Sequence, residues 1–210
     1  KYKEECAVLE KLLKHMEDGA PARTLELSEE EKELVRGFSL LSMKPMIYAA
    51  NVEEDALSGV ENNALVAQVR QAAQKEGAEV VVVSAKVEEE LAQLEEEERT
   101  MFLNELGLES AGLDRLVEAS YRLLGLISYL TAGPKEVRAW TIEKGTKAPQ
   151  AAGKIHSDFE KGFIRAEIVT YEDLVACGSI AAAREKGLYR SEGKEYVIQD
   201  GDVVLFRFNV

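Results

Sequence analysis

The sequence contains little cysteine, little proline and no long hydrophobic run. Its two cysteines, Cys6 and Cys177, are too few and too far apart for a disulfide framework or a cysteine-based metal site, which fits a reducing compartment. No apolar stretch approaches the roughly 20 residues that a membrane span needs, and no signal peptide is recognisable. We therefore expect a globular protein of the cytoplasm that does not enter a membrane.

Two motifs that bind nucleotide phosphates and magnesium are also missing. The pattern Gly-x-x-x-x-Gly-Lys-Ser/Thr does not occur, and no Asp-x-x-Gly follows a predicted strand. Phosphate cradling and magnesium binding carry most of phosphoryl-transfer catalysis, so we expect no such reaction from this chain alone. The first residues lack a Met and read as the middle of a charged helix, which leads us to expect further sequence before Lys1.

The net charge of −13 is concentrated in the first part of the chain. Residues 1–125 carry 14 basic and 27 acidic side chains, whereas residues 126–210 carry 12 of each. The acidic part repels phosphate backbones, so we expect no DNA binding, and the neutral part is the better candidate for RNA. Four basic side chains there are possible RNA contacts, with ordinary solvated charge as the alternative for each: Lys147, Lys154, Lys161 and Arg165.

Hydrophobic patterning predicts two regions that differ in their arrangement of helices and strands, with a boundary near residue 126. Residues 1–16 show an apolar stripe at helical spacing, typical of half a coiled coil or of a surface helix. The part up to residue 125 alternates helices and buried strands, which indicates an α/β fold. The rest indicates a small α+β domain. Its strands are predicted at 127–131, 136–142, 164–169, 196–198 and 203–209, and its helices at 148–155 and 171–177.

Two buried strands in the α/β part end in polar motifs. The strand at 45–50 is followed by Asn51, Glu53 and Glu54, and the strand at 78–83 is followed by Ser84-Ala85-Lys86. A helix at 63–76 connects them and ends at Gly77, which predicts a βαβ unit whose strand ends share one rim. Ligands of open α/β sheets bind beyond the carboxyl ends of the strands.

The rim residues suit a purine ring. A side-chain amide both donates and accepts hydrogen bonds, while a carboxylate accepts, so Asn51 and Glu54 are able to grip a purine edge from two sides. Backbone amides at Ser84-Ala85 and the stem of Lys86 would close the same pocket. The alternative is that Asn51 is an ordinary turn or helix-capping residue.

Asn-x-x-acid followed by Ser-Ala-Lys resembles the base-recognition half of a P-loop GTPase of the TRAFAC class. Val52 and Glu54 stand where the usual Asn-Lys-x-Asp pattern has Lys and Asp, and this departure is similar to the Obg-related YchF (Obg-like ATPase) family. The resemblance implies binding of ATP, or also GTP. The implied base-contacting residues are Asn51, Val52, Glu54, Ser84, Ala85 and Lys86.

The second half strengthens the resemblance. Residues 156–167, together with 146–152 and 201–204, are similar to the TGS domain of YchF proteins, a ubiquitin-like β-grasp module. The implied domains are the end of a helical, coiled-coil insertion at 1–20, the C-terminal half of an Obg-type P-loop NTPase domain at 21–125, and a TGS domain at 126–210. His156 beside Asp158 suggests a catalytic pair, but without a nucleophile nearby we favour a structural or turn role.

The resemblance also implies partners and a reaction. It implies the ribosome, its large subunit and RNA as partners, and Mg²⁺ with ATP as cofactor, with the P-loop and the magnesium ligands before Lys1. The complete protein would then hydrolyse ATP. The first alternative is a non-enzymatic RNA-, ribosome- or protein-binding module in which the βαβ unit is only scaffold. A second alternative, based on the TGS half alone, is a regulator linked to guanosine polyphosphates or tRNA.

Overall fold

Residues 2–133 and 136–209 are described by the computed structural model of the chain, which separates into two compact units, Lys1–Leu123 and Leu124–Val210. Each unit has its own hydrophobic clusters, built from residues of that unit. Within the described residues, no helix is long and apolar enough to cross a membrane. The two cysteines are free thiols.

Unit 1 opens with two helices, α1 (Tyr2–Glu17) and α2 (Glu29–Arg36). The stripe predicted on α1 packs inward, because Val8 and Leu12 are buried in a cluster with Val35 of α2. Helix α2 begins with a capping box, in which the Ser28 hydroxyl accepts from the Glu31 amide and the Glu31 carboxylate accepts from the Ser28 amide. The helix ends at Arg36.

The βαβ unit predicted from the sequence is confirmed. Strand β1 (Ile47–Asn51) runs parallel to β2 (Glu79–Val83), and α3 (Ala64–Glu76) connects them. The register pairs Asn51 with Val83, so both strands end at the same edge. The Asn63 side chain caps the start of α3, and Gly77 ends the helix with a φ of +66°.

Three further helices complete unit 1: α4 (Ala85–Leu91), α5 (Glu96–Glu105) and α6 (Gly112–Leu124). The Glu88 carboxylate accepts from the Gly112 and Leu113 amides at 2.7 and 3.1 Å and so caps α6. The apolar face of α6 is only partly buried. Leu113 is 57% exposed, and Val117 is 49% exposed.

Unit 2 is a five-stranded sheet with helices on both faces. Its strands are β3 (Leu126–Ala132), β4 (Val137–Glu143), β5 (Phe163–Thr170), β6 (Arg190–Glu192) and β7 (Asp202–Phe208). The spatial order is β4-β3-β7-β5-β6, with β3 and β7 parallel and the other pairs antiparallel. This is the mixed sheet expected of a β-grasp fold.

One predicted strand of unit 2 is wrong. Residues 196–198 form no strand, and only an isolated bridge joins Lys147 to Val197. The fifth strand of the sheet is β6 instead, at residues for which the sequence predicted no strand. Three residues of low β propensity become a strand because they pair with β5, and no local pattern records such a partner.

The two faces of this sheet are covered by different helices. Helices α7 (Ala148–Ile155) and α8 (Ser157–Lys161) lie over one face, where Ala151 and Ala152 pack with Tyr129, Ile168 and Phe206. Helices α9 (Tyr171–Cys177) and α10 (Ile180–Glu185) flank the opposite face, in a smaller cluster around Val169, Ala183 and Val203.

Candidate functional site

The two polar motifs predicted to share a rim meet there. Asn51 is the last residue of β1, and its Oδ1 accepts from the backbone amide of Ala85, the first residue of α4, at 2.9 Å. That amide is one of the donors that a helix start leaves without an intrahelical acceptor. The side-chain oxygen of Asn51 is therefore committed to the protein, and its NH₂ group is what it offers to a ligand.

The acidic residue of the first motif is also paired. The Lys86 ammonium donates to the Glu54 carboxylate at 3.2 Å, and both side chains remain accessible, with 64% and 37% of their areas exposed. The Glu54 carboxylate, followed by that of Glu90, raises the pKa of Lys86. A ligand that uses Glu54 as an acceptor must therefore compete with Lys86.

Two of the predicted site residues lie beneath the rim. The Val52 amide donates to the Val83 carbonyl at 2.9 Å, and its side chain packs against the cluster formed by Leu57, Val87 and Leu91. Ser84 is 2% exposed, and its hydroxyl has no hydrogen-bond partner among the described residues. Asn51, Glu54, Ala85 and Lys86 thus face the surface, while Val52 and Ser84 support them.

A shallow concave surface of about 570 Å³ adjoins the Lys86–Glu54 pair. It is lined by Glu53, Glu54, Asp55, Ser58, Lys86, Glu105 and Leu106. Four of these residues were not predicted: Asp55, Ser58, Glu105 and Leu106. The last two lie at the end of α5, and an acidic helical stretch gives no signal of where it packs. Four carboxylates against one ammonium disfavour phosphate and suit the N–H groups of a heterocycle.

This acidic surface does not fit a magnesium ion. Among the described residues, no three His, Cys, Asp or Glu side chains come together in a way that would hold a metal. Mg²⁺ in nucleotide sites is bound by one or two carboxylates together with substrate phosphates.

The four predicted RNA contacts do not form one patch. Lys147, directly before α7, pairs with Glu195 at 2.6 Å, and Lys154 and Lys161 are exposed on α7 and α8. Arg165 lies on β5 and belongs to a different cluster. The three lysines, at α7 and α8, and Arg165, on β5, thus belong to different parts of the surface of unit 2.

The cluster around Arg165 was missed by the sequence reasoning. Glu167 is buried and accepts from Arg165 at 3.0 Å, Arg207 at 3.1 Å and Arg184 at 3.5 Å. Tyr189 adds a hydroxyl donor at 3.2 Å. These donors, Arg207 foremost, lower the pKa of Glu167 to about 2. Because its members come from three strands or helices and a loop, only the Arg165-Ala166-Glu167 alternation was visible in the sequence.

His156 has the structural role that the sequence predicted. Its Nδ1 accepts from the backbone amide of Asp158 at 3.2 Å, and this caps the short helix α8. The ring also lies near Phe159, with centroids 5.9 Å apart. The His156 ring therefore serves as the cap of a short helix.

Comparison with known proteins gives matches over nearly the whole chain. A family model named YchF-GTPase_C, described as "Protein of unknown function (DUF933)", matches residues 126–209. Relatives named "Ribosome-binding ATPase YchF" include one from Bacillus subtilis, 57% identical over 206 residues, and one from Escherichia coli O157:H7, 54% identical over 208 residues. The matches cover 98% and 99% of this chain but 56% of each relative. The chain thus spans little more than half the length of these relatives.

Two solved structures are similar to the chain. The Schizosaccharomyces pombe YchF GTPase is 37% identical with a TM-score of 0.84, over 98% of this chain and 55% of that protein. A GTP binding protein from Pyrococcus horikoshii OT3 is 21% identical with a TM-score of 0.56, over all of this chain and 57% of that protein. The second likeness concerns the fold alone.

Proposed function

Because this chain belongs to the YchF family and covers its C-terminal part, we propose that it supplies the base-binding edge and the ribosome-directed sheet domain of a ribosome-binding ATPase. On this proposal, residues 1–20 end a helical insertion, residues 21–125 are the C-terminal half of the nucleotide-binding domain, and residues 126–210 are a TGS domain. The mixed order of the five-stranded sheet supports the last assignment.

The hydrogen bond from the Ala85 amide to Asn51 carries the proposal for nucleotide binding. It ties the two predicted base-contacting motifs together at the carboxyl ends of two parallel strands, where α/β proteins bind ligands. The Asn51 NH₂ group then donates to an acceptor on the base edge. The aliphatic stem of Lys86 covers part of the ring, and the Val52 carbonyl accepts from an exocyclic amine.

The pairing of Glu54 supports a preference for ATP over GTP. In the GTPase pattern the acid accepts N–H groups of guanine, whereas here the carboxylate already accepts from Lys86 and is one methylene longer than Asp. Guanine would have to displace the lysine, while adenine, which offers an acceptor and a single amine, does not depend on that carboxylate. The relatives' names include both ATPase and GTPase.

Hydrolysis is proposed for the whole protein and not for this chain alone. The chain has no phosphate-binding motif, and its described residues do not fit Mg²⁺. Residues outside this chain would hold the phosphates and the metal. The partner is the ribosome, through RNA of the large subunit, and the location is the cytoplasm; the relatives' name, ribosome-binding ATPase, supports the partner.

Titration of ATP and GTP into a protein of the full length of these relatives tests the proposed base-binding residues. Asn51→Ala removes both the capping acceptor and the donor, and we expect about tenfold weaker ATP binding. Asn51→Asp keeps the acceptor for Ala85 but removes the donor, so binding weakens while the start of α4 survives. The matched control is Asn62→Ala, at an exposed asparagine outside the rim. Equal affinity for ATP and GTP would contradict the proposed preference.

A non-enzymatic binding module is the second candidate function. The half-exposed arginines around Glu167 favour it, since they are a binding surface that needs no nucleotide. Under this alternative the βαβ unit is scaffold, and Asn51→Ala leaves nucleotide affinity at the background level of the wild type. Ribosome cosedimentation would then persist without any measurable nucleotide binding.

A further inference from the structure

Two arginines face each other across the central strands of unit 2. Arg165 of β5 and Arg207 of β7 are direct partners in the antiparallel register. Side chains in such positions have Cβ atoms about 5 Å apart, and like charges there destabilise a sheet. An arrangement that costs stability and leaves half of each side chain in solvent suggests a use beyond folding.

A β-bulge sets the direction of Arg165. Phe163 pairs with Phe208 and Arg165 with Arg207, so β5 has one residue more than β7 over this step. In a regular strand, residues two apart share a face. The bulge breaks this rule: Phe163 is buried in the main core, whereas Arg165 lies on the opposite face with Glu167. Bulges of this kind re-aim side chains.

Glu167 holds three guanidinium groups in place without cancelling their charge. One carboxylate serves Arg165, Arg184 and Arg207, which leaves a local excess of two positive charges. The three arginine side chains are 50%, 54% and 48% exposed, while that of Glu167 is 10% exposed. Each guanidinium has five N–H donors and uses one or two of them on Glu167, so these half-exposed side chains retain donors for a ligand.

We propose that this arginine cluster, Arg165, Arg184 and Arg207 around Glu167, binds phosphate groups of an RNA backbone. The proposal deepens the proposed function, on which it rests, by assigning the RNA contact to the sheet face rather than to the lysines of α7 and α8. Guanidinium groups bind phosphate oxygens through paired N–H donors, and a polyanion matches the local excess of charge. Although the chain has a net charge of −13, a local excess of positive charge of this kind attracts a polyanion.

Fluorescence anisotropy of a labelled RNA hairpin, titrated with the full chain at several salt concentrations, tests the proposal. Replacing two of the arginines, Arg165→Gln with Arg207→Gln, is expected to weaken binding about tenfold or more and to lower the salt slope by about one to two units. Arg165→Lys with Arg207→Lys keeps the charge but loses the paired donors, so affinity falls while the slope changes little. Thermal unfolding checks that each variant is folded.

The matched control removes two charges elsewhere in unit 2. Lys144→Gln with Lys194→Gln changes exposed lysines outside the arginine cluster and is expected to leave the affinity within about twofold. Polyglutamate as a competitor should displace the RNA only weakly. If it competes as well as unlabelled RNA, the cluster binds acidic protein segments and the proposal is wrong.

Ribosome cosedimentation separates this proposal from the function on which it rests. Wild-type binding that persists in the arginine variant, but is lost in Lys154→Gln with Lys161→Gln, overturns the arginine cluster and leaves the ribosome as partner. If the wild-type chain neither cosediments nor binds the RNA hairpin, the ribosome-directed function itself fails. Loss of both signals in the arginine variant alone is the expected result.

Discussion

The two units pair their charged side chains in opposite ways. At the rim of unit 1, one lysine stands among four carboxylates, and the pairing of Lys86 with Glu54 leaves a negative surface. On the sheet of unit 2, one carboxylate stands among three arginines and leaves a positive surface. The sequence counts suggest an acidic part and a neutral part, but a neutral average conceals a strongly basic cluster. Net charge over a domain therefore does not locate a binding surface.

The largest expected effect comes from cavities in the two hydrophobic cores, and it tests whether the two units unfold independently. Leu91→Ala opens a cavity in unit 1, and Ile168→Ala opens one in unit 2, where both side chains are almost fully buried. Each should cost about 2–5 kcal/mol of unfolding free energy. In calorimetry, we expect each change to lower the transition of its own unit. A single transition that shifts equally in both variants would contradict the independent unfolding of the two units.

A backbone contact in unit 2 gives the next largest effect. A Cβ on Gly162, between α8 and β5, would overlap the backbone carbonyl of Asn209, which follows β7. The Asn209 amide donates to the Gly162 carbonyl at 2.8 Å, and this bond holds the two backbone segments together, so the Asn209 carbonyl has little room to yield. Gly162→Ala should destabilise unit 2 by about 1–3 kcal/mol. Gly193→Ala is the control, because nothing lies within 4 Å of the position that its new methyl group would occupy.

The smallest expected effect concerns the pH dependence of the buried Glu167 carboxylate. The pKa of Glu167 is about 2 in the folded protein, below its ordinary value of 4.5, because it accepts from Arg207 and Arg165. Its stabilisation is present above pH 4.5 and is lost as the pH falls toward 2, and solvent screening reduces it to about 1–2 kcal/mol. Unfolding of wild type and Glu167→Gln should therefore differ at pH 6 and converge near pH 2.

Glu195→Gln is the matched control for this pH profile. Its carboxylate pairs with Lys147 in unit 2 but is 86% exposed, so removing it should change stability little at either pH. If Glu167→Gln changes the free energy of unfolding at pH 6 as little as Glu195→Gln does, the arginines are not held by the Glu167 carboxylate. The idea of a pre-oriented cluster would then fail.

Most of the βαβ unit was predictable because its signals are local. The cap at Asn63 and the stop at Gly77, which bound the connecting helix, each involve residues within four positions of one another. The two buried strands were recognisable from continuous apolar runs, and parallel pairing then brings their ends together. This is why the rim and its exposed residues could be predicted from the sequence.

The unpredicted elements are short and depend on distant partners. Helices α8 and α10 have five and six residues, too few for a helical repeat to show. Strand β6 has three residues and exists through its pairing with β5. The partly exposed apolar face of α6 shows a related limit: helical periodicity predicts an apolar stripe but not the residues that cover it.

Local sequence patterns were enough to predict the strands and the connecting helix of the βαβ unit and the polar residues at its strand ends, because these features depend on neighbours along the chain. How those polar residues are used depends on tertiary contacts. The tertiary structure committed the Asn51 oxygen to Ala85, paired Glu54 with Lys86 and buried Ser84. It also gathered arginines from β5, α10 and β7 around one carboxylate. Such contacts join residues up to 40 positions apart, and no local pattern encodes a distance of that kind.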